Sequence, residues 1–533
     1  MAKAPEKKND KSFEEALWDA ANKLRGSVES SEYKHIVLSL IFLKFISDTF
    51  EKQKQKLIDK GYEKHIDVVQ AYTKDNVFYL PVESRWSFIK QNAKQEDIAL
   101  KIDTALSTIE KTNQSLKGAL PDNYFSRLGL TTSKLSALID VINNIDTLEN
   151  PEEDTVGRVY EYFLGKFAAT EGKGGGEFYT PKSVVNLIAE MLEPYQGKIY
   201  DPCCGSGGMF VQSVKFIESH HGNTKDVSIY GQEYTSTTYK LAKMNLAIRG
   251  ISSNLGEVAA DTFFKDQHET LKADFIMANP PFNQKDWRAS DELVDDPRWA
   301  GYPTPPTGNA NYAWILHMIS KLSEHGTAGF VLANGSMSTT TSGEGEIRQQ
   351  IIENDLVDCM IALPGQLFYT TQIPVCLWFI SKDKQAKSAN SQARGLRNRQ
   401  GETLFIDARN MGSMISRTTK ELSKDDIDVI SNTYHAWRGE QDAGGYEAYA
   451  DKAGYCKSAT FDEIKANDYV LTPGRYVGAV EIEDDGILFE TKMLELSRTL
   501  YMQMQESQKL DETIRNSLEK LGYGLSNMDG MPK

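Results

Sequence analysis

Cysteine is scarce in this chain: five residues in 533, at positions 203, 204, 359, 376 and 456. They lack both the paired spacing of a zinc site and the density of a disulfide scaffold. Reduced thiols in a cytoplasmic protein are therefore expected. Long apolar runs are missing too. The longest, Ile36 to Ile46, contains Ser39 and Lys44 and falls far short of the ~20 residues a membrane span needs, so it reads as a buried helix. The opening MAKAPEKKNDKSFEE carries charge with no apolar core behind it, and a signal peptide is not expected. Nor is there an excess of positive charge: 60 Lys and Arg against 75 Asp and Glu leave −15. Such a chain is not a general electrostatic binder of nucleic acid. If it acts on DNA or RNA, a local basic groove or a partner must supply the phosphate contacts. The eight histidines, among them His35, His65 and His317, have no metal-ligand spacing and read as structural or solvent-facing, so no metal is expected.

What is present is an ordinary globular composition, 40% hydrophobic, 25% charged and 10% aromatic. At ~150 residues per domain the length implies three or four domains. Patterning separates three regions. Residues 1–164 are helical in pattern: Phe13, Leu17, Ala21 and Leu24 share one helix face, and Ile98, Ile102, Leu106 and Ile109 share another. This region carries no catalytic constellation and reads as an interaction or substrate-clamp domain. The glycine run 172–176 reads as a flexible loop. Across residues 165–475 short apolar runs alternate with helical patterns. Those at 198–201, 227–231, 274–278, 329–333 and 357–362 read as buried strands. The run 375–380 follows too closely for a crossover helix and is expected as a hairpin partner. The alternation predicts an α/β domain, an open and mostly parallel sheet with helices on both faces and an antiparallel strand at its end. In residues 476–533, Phe489, Met493, Leu496, Leu500 and Met504, then Leu510, Ile514, Leu518 and Leu521, mark a long amphipathic helix with a break near Ser507. A terminal stripe of this kind suits docking to a partner.

Chemistry concentrates at the strand ends. Asp201-Pro202-Cys203-Cys204-Gly205-Ser206-Gly207-Gly208 follows the first strand, and its glycines allow a tight turn whose N–H groups approach a ligand at a helix N-terminus. Phe210 fills the last position of a dinucleotide fingerprint, which weakens a pyrophosphate reading, and no Lys-Ser/Thr follows for a nucleoside triphosphate. Alone, the turn could be a plain strand-to-helix connection. Glu233, ending the next strand, is placed to accept both hydroxyls of a ribose. Together the two point to a nucleoside site. Asp261 sits where an adenine amino group would need an acceptor, or else caps a helix. The strongest element is Asn279-Pro280-Pro281-Phe282, directly after the run 274–278. Two prolines stiffen the turn and push Asn279 out of helical geometry. The Asn279 amide oxygen and the Pro280 carbonyl then offer two acceptors to an NH2 group, whose lone pair is left facing an electrophile. Phe282 offers a flat ring to a planar base, a stack worth ~1–3 kcal/mol.

With these residues the sequence resembles the amino-methyltransferases that use S-adenosylmethionine. More closely, it is similar to the modification (M) subunits of type I restriction-modification systems, which methylate adenine N6 in DNA. Glu177-Phe178-Tyr179-Thr180-Pro181-Lys182 precedes the Asp201 turn as in that family, where it helps enclose the methionine part of the cofactor. Residues 308–314 (GNANYAW), 363–368 (LPGQLF) and 473–477 (PGRYV) match as well, so the likeness covers nearly the whole chain. The resemblance implies a Rossmann-like methyltransferase sheet, a helical N-terminal domain and a C-terminal docking helix. It implies a catalytic role for Asn279, Pro280, Pro281 and Phe282. S-adenosylmethionine would be bound by Asp201, Gly205, Ser206, Gly207, Gly208, Glu233 and Asp261, with the 177–182 segment.

The resemblance further implies double-stranded DNA as substrate, its target adenine flipped out of the stack. Sequence would be read by a separate specificity (S) subunit, with a second M subunit and a restriction (R) subunit as further partners. That arrangement explains how so acidic a chain acts on DNA. Transfer would pass directly to nitrogen, without a nucleophilic Cys or Ser. The segment 283–311, with Gly301, Pro303, Pro305 and Pro306, is a candidate lid over the base. Three rivals stay open. Methylation of cytosine N4 more often uses a turn that begins with Ser, and methylation of a protein glutamine usually has Tyr at the Phe282 position and a much shorter chain. A non-catalytic module that binds cofactor and scaffolds partners is the third.

Overall fold

The computed structural model describes residues 18, 22, 30–75, 77–145, 180–368, 373–417, 419–440, 448–479 and 489–521. Two compact units are present, 1–478 and 479–533. The expected helix at 13–24 and the glycine run 172–176 lie outside the described residues, apart from Trp18 and Asn22.

The apolar run at 36–46 belongs to the helix Ser30–Asp59. Its Ile36, Phe42, Ile46 and Phe50 are buried against Ile98, Ile102, Leu106 and Ile109 of the helix Ile98–Thr112 and Leu138 and Ile142 of the helix Thr132–Asn143. Lys44 is tolerated within this stretch because Asp48, one turn on, neutralises it. The same apolar cluster takes in Leu241 and Met244 of the helix Ser236–Ile248. The N-terminal helices thereby close over one flank of the sheet.

In chain order the strands are β1 (Gly197–Asp201), β2 (Val227–Gly231), β3 (Ser253–Asn254), β4 (Ala273–Ala278), β5 (Leu322–Ala333), β6 (Val357–Ala362), β7 (Val375–Ser381), β8 (Glu402–Asp407), β9 (Ser413–Met414), β10 (Lys420–Glu421) and β11 (Cys456–Thr460). Nine of them form one sheet in the order β11-β8-β6-β7-β5-β4-β1-β2-β3, while β9 and β10 pair separately. The run β5-β4-β1-β2-β3 is parallel throughout. The helices Lys182–Leu192, Gly208–Ser219 and Lys424–Arg438 cover one face, and Asn311–Lys321 and Glu344–Glu353 cover the other.

Two expectations change. The hairpin of β6 and β7 exists, pairing Ala362 with Cys376 and Ile361 with Leu377. However, β7 sits between β5 and β6, not at the end of the sheet, and is antiparallel to both. All seven of its residues are buried. A strand apolar on both faces belongs in the middle of a covered sheet, not on its rim. The antiparallel edge strand is instead β11, paired to β8. The C-terminal helix Phe489–Lys520 runs unbroken through Ser507. A single Ser costs only about half a kcal/mol in a helix, and Gln505, Glu506, Gln508 and Lys509 around it are good helix formers. Among the described residues no helix is long and apolar enough to cross a membrane.

Candidate active site

β1, β2 and β4 are parallel, so the loops after Asp201, Gly231 and Ala278 leave the sheet at the same edge. Ligands of such sheets bind at that carboxyl edge, where strand order reverses. The turn after β1 starts the helix Gly208–Ser219 from Gly207, with Gly205 and Gly207 at φ +54° and +81°. Side chains disfavour that left-handed region. A Cβ placed on Gly205 or Gly208 would meet nothing within 4 Å among the described residues, so these two positions leave room for close approach. Glu233 ties the turn down: its Oε2 accepts from the Gly205 N–H at 3.1 Å and its Oε1 from the Thr235 N–H at 2.7 Å. Its carbonyl accepts from the Ala260 N–H at 2.9 Å, which brings in the Asp261 loop. Thr262 donates to the Pro202 carbonyl at 2.6 Å. Asp261 Oδ1 accepts from the N–H groups of Phe263 at 2.7 Å and Phe264 at 3.2 Å, so this oxygen caps a turn of its own loop. Asp201 is buried, and its Oδ1 accepts from the Cys203 N–H at 3.0 Å. Burial pushes its carboxyl up to about 7, with Glu233 acting the same way and the Cys203 N–H opposing.

Asn279 leaves β4 half-buried. Its Nδ2 donates to Thr180 Oγ1 at 2.9 Å, while its Oδ1 is buried with no hydrogen-bond partner among the described residues. A buried acceptor left unmet costs ~1–3 kcal/mol, which marks a place where a donor belongs. The Phe282 ring stands edge-on to buried Phe368, with centroids 5.8 Å apart and an interplanar angle of 75°. Asn283 follows in the left-handed region at φ 51°. It is held by buried Asn311, whose Oδ1 accepts from the Asn283 N–H at 3.0 Å and whose Nδ2 donates to Asn283 Oδ1 at 2.9 Å.

The 283–311 segment, expected as a candidate lid, is anchored by its own side chains. Trp287 and Trp299 are buried beside Phe263 and Trp314. Arg298 pairs with Asp296 and donates to the carbonyls of Thr262 at 3.0 Å and Phe263 at 2.6 Å. The segment on the base side thus grips the loop that carries Asp261.

The structure gathers Gly205, Glu233 and Asp261 at one edge of the sheet and seats Asn279 beside Thr180. Ser206 holds the turn from outside, its carbonyl accepting from Asn245 at 2.7 Å. Pro181 is the buried N-cap of the helix that Lys182 begins, and Lys182 itself is exposed. Glu177, Phe178 and Tyr179 lie outside the described residues. Sequence reasoning missed the links of Thr180 to Asn279, Asn311 to Asn283 and Phe368 to Phe282. It also passed over Tyr234 and Phe264, which stand 72% and 48% exposed beside Glu233 and Asp261. An aromatic adjoining each acidic residue was the available signal.

The N-6 DNA Methylase family matches residues 151–485, and the HsdM N-terminal domain matches residues 13–145. The chain belongs to the type I restriction enzyme methylase subunits. It is 48% identical over 465 residues to the HindI methylase subunit of Haemophilus influenzae, covering 83% of this chain and 100% of that one. It is 39% identical to the MjaIX methylase subunit of Methanocaldococcus jannaschii, covering 96% and 92%. A crystal structure of the methyltransferase subunit of a type I restriction-modification system from Streptococcus thermophilus shares the fold. Its TM-score is 0.70 at 24% identity, covering 88% of this chain and 99% of that one. This methylase subunit is therefore an adenine-specific DNA methyltransferase of a type I restriction-modification system. Its family uses S-adenosylmethionine.

Proposed function

We propose that this methylase subunit binds S-adenosylmethionine at the β1–β2 edge and presents adenine N6 to it from the Asn279–Phe282 turn. The carrying observation is Asn279 Oδ1, a buried acceptor with no partner among the described residues, on a stiff turn beside an aromatic ring. The residues suit the cofactor: open space over Gly205 and Gly208 for close approach, Glu233 for ribose hydroxyls, and the Asp261 loop with Tyr234 and Phe264 for a purine. Ser206, Gly207, Asp201 and the Glu177–Lys182 segment complete that assignment. The cofactor supplies an electrophilic methyl group on a sulfonium. On the base side, Asn279 Oδ1 and the Pro280 carbonyl accept hydrogen bonds from the two N–H groups of the amine, Pro281 stiffens the corner, and Phe282 stacks on the base, while the one proton displaced by methylation leaves to solvent. Holding nitrogen ~3–3.5 Å from carbon supplies much of the rate, and the chain need provide no nucleophile of its own.

The reading divides the chain into a helical domain at 1–164, a methyltransferase domain at 165–475 and a docking segment at 476–533. The docking segment presents Met493, Leu496, Leu500, Met504, Leu510, Ile514 and Leu518 exposed along one helix. Such a stripe is a binding face for an apolar partner helix. We assign it to the specificity subunit, with a second copy of the methylase subunit and a restriction subunit joining the assembly on cytoplasmic DNA. The partner also answers the net charge of −15, since phosphate contacts must come from elsewhere.

Two experiments test this. Asn279→Ala should keep cofactor affinity while methyl transfer from tritiated S-adenosylmethionine to DNA N6-adenine falls about 100- to 1,000-fold, the loss typical of one key polar contact in a dry site. Retained transfer would remove Asn279 from the mechanism. Deleting residues 487–533 should spare cofactor binding and abolish co-purification with the specificity subunit; unchanged assembly would refute the docking role.

A further inference from the structure

We propose that the β9–β10 hairpin contacts the DNA duplex beside the target adenine, Met414 and Ile415 wedging against the flanking bases and Arg417 meeting phosphate. The proposal rests on the reading that the adenine leaves the stack to reach Asn279. The hairpin stands at the right edge of the sheet. β4 and β5 are parallel, β7 is antiparallel to both β5 and β6, and β6 is parallel to β8. The chain therefore leaves β6 and β8 at the same carboxyl edge as the Asn279 turn. The base of the hairpin is fastened there. The Ala408 N–H donates to the Ala362 carbonyl at 2.9 Å, and the Lys420 N–H donates to the Gln366 carbonyl at 2.8 Å. Gln366 lies two residues before Phe368, the ring that meets Phe282. Leu422 is buried at the hairpin's foot.

The tip carries what a duplex calls for. Met414 and Ile415 stand 47% and 52% exposed. Single exposed apolar residues are ordinary, but these two are adjacent, lie near the catalytic turn and sit in a basic segment. Residues 408–420 hold Arg409, Arg417 and Lys420 and no acidic residue, in a chain of net charge −15. Arg409 is paired with Asp407. Arg417, exposed, and Lys420, half-buried, are left to face an anion. Lys420 lies directly opposite Met414 in the ladder, so the two share a face. Apolar side chains set among cations match a duplex, where bases lie between two phosphate backbones. The major groove admits a two-stranded ribbon, and Ile and Met are among the side chains that proteins insert at unstacked steps. The cations favour DNA over the specificity subunit as the occupant, since phosphate must approach this edge.

The test uses the full-length chain assembled with its specificity subunit, whole-genome-amplified and hence unmethylated bacterial DNA, and tritiated S-adenosylmethionine. The double variant Met414→Ser, Ile415→Ser should lower kcat/KM for DNA about 10- to 100-fold, the loss expected when an apolar wedge is removed. Its cofactor Kd, its melting temperature and its co-purification with the specificity subunit should not change. Met414→Leu with Ile415→Leu keeps apolar bulk and should stay within about threefold of wild type. Arg417→Gln should reduce the slope of log KM for DNA against log salt by about 1. An unchanged kcat/KM in the serine variant, a leucine variant as slow as the serine variant, or an unaltered salt slope in Arg417→Gln would overturn the contact. Loss of the specificity subunit from the serine variant would overturn it in favour of a subunit interface. Wild-type transfer by Asn279→Ala would instead overturn the mechanism beneath it.

Discussion

The two halves of the active site are built differently. On the nucleoside side, backbone N–H groups of neighbouring loops bond to two acidic residues: those of Gly205 and Thr235 to the Glu233 carboxylate, that of Ala260 to the Glu233 carbonyl, and those of Phe263 and Phe264 to the Asp261 carboxylate. On the base side, the catalytic turn is held by uncharged side chains from three separate segments. Thr180 is 99 residues from Asn279, Asn311 is 28 from Asn283, and Phe368 lies beyond β6. The nucleoside half hangs on two carboxylates, whereas the base half is built from several separate side chains and should fail one contact at a time.

The sharpest way to break that comparison is Phe282→Ala. Loss of a stack worth ~1–3 kcal/mol should weaken productive DNA engagement about 5- to 150-fold, read as KM for DNA, with cofactor affinity untouched. A cofactor defect of similar size would show the halves to be one. Asn311→Ala comes next. It removes two hydrogen bonds from Asn283, each worth ~0.5–1.5 kcal/mol, and frees a residue at positive φ. A fall in kcat of about tenfold is expected, checked by steady-state kinetics beside a thermal melt. Equal loss of kcat and of melting temperature would make the pair a fold support only.

The smallest effect probes the nucleoside side. Burial raises the Asp201 carboxyl to about 7, so below that pH it is largely neutral and above it charged. The cofactor carries a cationic sulfonium and ammonium, which favour the charged carboxylate. Its affinity should therefore rise as pH increases from 6 to 8, by up to about tenfold per pH unit on the acid side of the transition. Titration calorimetry across this range should show that slope in the wild type and none in Asp201→Asn. A slope that persists in the variant would assign the proton elsewhere.

Much of this was legible in the chain itself, and the reason is locality. Asn279-Pro280-Pro281-Phe282 carries its stiffness in its own prolines, and β1 with its glycine turn is contiguous, as is the hairpin of β6 and β7. The place of β7 inside the sheet was not legible, because pairing partners are chosen by burial across the whole domain. β8 and β11 were missed because their apolar runs are short and interrupted by polar residues, so they take strand form from β6 and from each other.

The sequence by itself determined the kinds of chemistry on offer: an amide and a carbonyl for an amine, a ring for a base, an acidic residue for a ribose, a stripe for a partner. Only the tertiary structure decided that Thr180 meets the Asn279 amide, that Phe368 stands edge-on to Phe282, and that the 283–311 segment is fastened down. Side-chain identity and backbone stiffness are written residue by residue, while orientation is set by hydrogen bonds and packing between segments that folding alone brings together.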